Sequence, residues 1–131
     1  MSNMEDFEKG VALILTKLLD GFPSRLVIKA SQLDPGGSPE QIHNYAETLE
    51  FLAREGFIVY FSKQSQNYSG VALTGKGLAI LNAVPESIRE KVPLGSRIAS
   101  ALKDGSKETL KIVVHETVSA IAKHAIPGST A

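Results

Sequence analysis

Apolar residues first recur at helical spacing in Phe7, Val11, Ile14, Leu15, Leu18 and Phe22. That stripe predicts an amphipathic helix over residues 4–22, ended by Gly21 and Pro23. Leu13 and Leu19 lie off its centre, so the helix is expected to be covered from a second direction, inside a bundle or at a dimer seam. Arg25–Ala30 predicts a short apolar strand. Ser31–Leu33 leaves room for little more than one helical turn before the turn composition Asp34-Pro35-Gly36-Gly37.

A stronger pattern follows. Ser38 is placed to cap a helix, Pro39 suits its first position, and Gln41 stands three residues after the cap, which is a capping-box start. Ile42, Tyr45, Ala46, Leu49, Leu52 and Ala53 continue the helix along one stripe, and Gly56 supplies a left-handed cap. Phe57–Phe61 is aromatic and β-branched throughout, hence a strand. Ser62–Ser69 is polar and reads as a loop, and Val71–Leu73 reads as the partner strand. Thr74 caps a further helix carried by Leu78, Ile80 and Leu81.

Beyond this unit Pro85 and Pro93 bracket a short predicted helix with Ile88 and Val92. Leu94–Asp104 predicts a helix that Gly105 breaks. Lys107–Ala125 predicts the last one, with Leu110, Val113, Val114, Thr117, Val118, Ile121 and Ala125 on one face. Ile112 and Ile126 sit off that face. The expected organisation is one domain over 1–84, a helical extension over 85–126 that packs on it or forms a dimer interface, and a disordered tail over 127–131.

The segment from Leu49 to Leu81 resembles a winged helix-turn-helix domain. The residues that carry the likeness are Leu49, Leu52, Glu55-Gly56-Phe57-Ile58, Leu73-Thr74, Gly77 and Leu81, and the likeness covers roughly residues 5–83. It is similar to small bacterial and phage regulators. It implies an α+β, mostly helical fold: a winged helix with a C-terminal helical extension. It also implies a DNA-binding transcriptional regulator. One departure stands out, because Ser31–Leu33 is shorter than the second helix such domains carry. Winged helices also bind proteins, so a protein-interaction module is the competing expectation.

If Ser38–Glu55 is a recognition helix, its N-terminal half enters a major groove. Gln41 and Asn44 are then the adenine readers, Thr48 is a secondary contact, and Glu47 accepts from a cytosine amine. Lys63, Gln64 and Asn67 on the wing and Lys76 at the next helix start complete the expected DNA contacts, with Arg25 and Lys29 as further cations. Charge opposes this: from Ser38 to Phe61 four acids (Glu40, Glu47, Glu50, Glu55) face one base, Arg54. Phosphate neutralisation supplies much of DNA affinity, so an acidic helix suits a protein partner instead, met through Glu40, Glu47 and Phe51. Phe51 lies opposite the core stripe and is expected to be covered by a C-terminal helix or by that partner.

Composition narrows the rest. The chain has 131 residues, a formal net charge of zero and no cysteine. No disulfide framework or thiolate metal site is available, and with no signal-peptide pattern a cytoplasmic location is expected. The longest apolar run, Val11–Leu15, is far short of a membrane span. His115-Glu116 opens like a zinc-protease motif, but position 119 is Ser where a second His is needed. His43, His115 and His124 form no ligand spacing, and no nucleophile or phosphate-loop pattern occurs. The expectation is a non-enzyme with no cofactor or metal, acting on duplex DNA or a protein partner, as a homodimer through its first and last helices or as a larger monomer core.

Overall fold

The computed structural model describes residues 3–82, 92–105 and 107–130, with side chains in the last segment described over 108–119. The fold is α+β and mostly helical, with a small antiparallel sheet of four strands. In order the elements are α1 (Asn3–Gly21), β1 (Leu26–Lys29), α2 (Ala30–Leu33), α3 (Pro39–Arg54), β2 (Ile58–Val59), β3 (Ser62–Gln64), β4 (Asn67–Leu73), α4 (Gly75–Asn82), α5 (Leu94–Asp104) and α6 (Lys107–Thr130).

α1 is the axis of the molecule. Between Asp6 and Thr16 none of its residues is exposed. Its apolar stripe meets Tyr45, Leu49 and Leu52 of α3 and Ile28, Tyr68 and Val71 of the sheet in one buried cluster. The same cluster takes in Leu94, Ile98 and Ala101 of α5 and Val113 and Val114 of α6. Each such side chain removed from water contributes on the order of 1.5–3 kcal/mol. Leu19 lies against Gly95 of α5, which explains the off-centre leucines. The second covering of α1 therefore comes from the chain's own C-terminal helices. Glu8, 5 % exposed, pairs with His115 of α6 at 2.6 Å. Arg97 of α5 holds Glu116 of α6 through both terminal guanidinium nitrogens, at 2.7 and 3.1 Å.

The local signals act as expected at several element ends. Ser38 Oγ accepts from the Gln41 backbone N–H and the Gln41 side chain accepts from that of Ser38. Thr74 Oγ1 accepts from the Gly77 N–H at 3.0 Å. Gly56 and Gly105 close α3 and α5 at positive φ. At Gly77 a side chain would collide with the Phe57 carbonyl, so α4 can lie directly on the chain leading into β2.

Three expectations need correction. The segment Ser62–Ser69 is not a loop: β3 and the start of β4 pair through it, with only Ser65 and Gln66 between them. Backbone ladders form on an exposed hairpin without apolar side chains, which is why polarity alone misread it. Phe51 is half-buried, and its neighbour is α1, which the sequence expectation did not include. Its ring packs edge-on to Phe7 of α1, centroids 5.4 Å apart. The α6 backbone is helical to Thr130, through four of the five positions assigned to a disordered tail; a proline φ is compatible with a helix even though one N–H bond is lost. The predicted helix around Ile88 lies outside the described residues. No described helix is long and apolar enough to cross a membrane.

Candidate functional site

Most of the predicted reading face of α3 is engaged inside the chain. The Gln41 amide donates to Asp6 Oδ1 at 3.3 Å besides closing the capping box. The Asn44 amide donates to the Asn3 carbonyl at 3.2 Å. Thr48 is 2 % exposed and donates back to the Asn44 carbonyl at 2.8 Å, so it is removed from any DNA contact. These residues form the flank of α3 that faces the N-terminal half of α1. Thr48 belongs to the buried set Tyr45, Ala46, Thr48, Leu49 and Leu52, which centres the inner face nearer Asn44 than Ile42 and Ala53 suggest, while Gln41 and Asn44 stay half-buried.

Outward on α3 are two acids and, at its end, Arg54. Glu40 and Glu47 are exposed, and Glu47 stands 3.8 Å from His43. With Asn3, Pro39 and Asn44 they line an open trough. Lys63 is exposed, and its side chain reaches toward α3. Its ammonium donates to Glu50 at 2.9 Å, while the Tyr60 hydroxyl donates to the other Glu50 oxygen at 2.8 Å. These bonds hold the Glu50 carboxyl below its ordinary value and push Lys63 and Tyr60 up. Lys76 donates to the Glu55 carbonyl at 3.3 Å and lies over the Phe57 ring. Lys63 is thus paired with a carboxylate of its own chain, while Lys76 remains exposed.

The opposite face of the sheet differs. β1 and β3 lie on either edge of β4, with Asn67 opposite both Lys29 and Gln64, and Ser62 opposite Ser69. Cross-strand partners share a face. Ile28, Lys63 and Tyr68 form the inner row, so Lys29, Asn67, Gln64, Ser62 and Ser69 form the outer one, all exposed. Val27 joins them by alternation and is 58 % exposed. A register shift in the β1–β4 ladder puts both Tyr68 and Val71 inward and frees Gly70 between them. Phe61 lies over Gly70, and the Arg25 guanidinium sits 4.1 Å from the ring centroid while donating to the Gly70 carbonyl at 3.0 Å.

This outer face carries two cations, Arg25 and Lys29, neither of which is ion-paired among the described residues. Neither Arg25–Lys29 nor Ile58–Leu73 contains an Asp or Glu. Two amides, two hydroxyls and a ring that is 72 % exposed complete it. Of the predicted wing residues, Gln64 and Asn67 belong here and Lys63 does not. Phe61 was missed. It stands at a bend between β2 and β3, where strand alternation does not set its direction: Phe57, of the same parity, is buried. No group of three or more acids and histidines able to hold a metal occurs among the described residues. Comparison with protein-family models, with curated proteins and with solved structures finds no match.

Proposed function

We propose that this chain is a winged-helix nucleic-acid-binding protein that meets the phosphate backbone with the outer face of its sheet and not with α3. The fold part of this reading is supported by element order: helix, strand, short helix, capped helix, then a hairpin whose last strand pairs with β1. The function part rests on one observation, the sorting of charge. Glu40 and Glu47 stand outward on α3, with Arg54 at its end, while the outer sheet face keeps Arg25 and Lys29 beside Gln64 and Asn67 with no carboxylate in its strands.

The test is fluorescence anisotropy of labelled oligonucleotides at rising salt. Two phosphate contacts give a slope of log K against log salt of about −1.4 to −1.8. Lys29→Glu together with Arg25→Glu is expected to remove most of the affinity, and Asn44→Ala to leave it unchanged. Absence of binding at low salt, or binding indifferent to the double substitution, would overturn the proposal.

The trough on α3 favours a second reading, a module that accepts a basic protein segment on Glu40 and Glu47. A lysine-rich peptide would then bind the native chain and fail to bind Glu40→Lys/Glu47→Lys. If both chains bind it equally, that reading is lost.

A further inference from the structure

We infer that the outer sheet face takes single-stranded nucleic acid, with an unpaired base stacked on Phe61. The inference rests on the reading above and narrows its ligand.

Phe61 is the most exposed large apolar side chain among the described residues, at 72 %. An exposed aromatic ring is normally loose. This one is held in place. Gly70 beneath it has φ +69°, and any side chain there would run into the ring. Arg25 fixes the same spot by donating to the Gly70 carbonyl at 3.0 Å with its guanidinium 4.1 Å from the ring centroid. A positioned ring that remains largely in water is a preformed stacking surface.

Its surroundings select the ligand. Arg25, just before β1, lies on the ring, and Lys29 at the end of β1 follows about 13 Å from it at strand rise, which suits a backbone tracking along β1. The amides of Gln64 and Asn67 and the apolar Val27 lie on the same face. Cations that follow a backbone combined with an aromatic platform are the chemistry of sequence-tolerant single-strand binding. In a duplex the base faces are already stacked on one another, so Phe61 would meet only sugar and phosphate. Exposing a paired base costs a few kcal/mol, which two cations do not offset at physiological salt.

The experiment compares a single-stranded DNA, a single-stranded RNA of the same sequence and the corresponding duplex by anisotropy. The single strands are expected to bind at least about tenfold more tightly than the duplex, and the DNA and RNA arms show which sugar is preferred. Phe61→Ala is expected to weaken single-strand binding about 5- to 100-fold; the residue is exposed, and an unchanged melting profile confirms that the fold survives. The chain has no tryptophan, so Phe61→Trp places a lone indole at the site; it is expected to retain affinity and to lose fluorescence as a base stacks on it. Equal or tighter duplex binding overturns this inference and leaves the broader reading standing. Single-strand binding indifferent to Phe61→Ala, or without indole quenching, also overturns it. No binding to any of the three removes both.

Discussion

Lys63 and Glu50 show how one residue's role is settled by what lies across from it. As a wing cation Lys63 was expected to neutralise phosphate; instead it and Tyr60 donate to a single carboxylate. Because those bonds lower the Glu50 pKa, the stability that Glu50 lends is complete above its ordinary value of 4.5 and drains as pH falls through the lower folded value. Glu50→Gln is therefore expected to destabilise the protein at neutral pH and to flatten the loss of stability on acidification, as read by urea melts at several pH values. Identical acid limbs for both proteins would remove Glu50 from the account. Gln41, Asn44 and Thr48 teach the same lesson. Their chemistry is legible in the sequence, but whether amides face water or α1 depends on where a distant helix lies, and nothing local encodes that.

The elements themselves were far more legible. α1, α3, α5 and the start of α6 follow from apolar spacing alone, and α3 begins where the capping residues say it must. Ser38→Ala breaks both reciprocal bonds of that start. It is expected to cost about 1 kcal/mol in chemical denaturation, and Ser38→Asp to recover most of it. The sheet was less legible. Its apolar centre showed, but its polar half did not, because a ladder on an exposed hairpin is held by backbone groups that every residue type carries. That half supplies Gln64, Asn67 and Ser62 to the outer face, so the weakest part of the sequence reading coincides with the part on which the functional proposal stands.

At the scale of the molecule, α5 and α6 are part of the same core as α1, α3 and the sheet. Val114 is fully buried in it. Val114→Asp would bury a carboxylate without a partner, a class of change that costs about 3 kcal/mol or more. The chain's tyrosines, Tyr45, Tyr60 and Tyr68, all lie far from α6 in sequence, and there is no tryptophan. A drop in the tyrosine-detected melting temperature of Val114→Asp, in one transition, is expected if the extension is integral. An unchanged tyrosine melt would show that residues 3–82 fold without it. The charge on the surface is arranged at this scale too, with Glu40 and Glu47 outward on α3 and Arg25 and Lys29 on the far side of the sheet, although the chain as a whole is neutral.

The enclosed position of α1 sets a schedule for biosynthesis. α1 leaves the ribosome before every layer built around it, and its partners arrive from residues 39–54 and then 94–119. Until the last of these emerges, the nascent chain carries an apolar rod with one flank bare, and closing that flank joins segments roughly ninety residues apart. A domain fused directly behind residue 131 would let that closure finish during translation, whereas a stop or stall inside α6 leaves an aggregation-prone fragment.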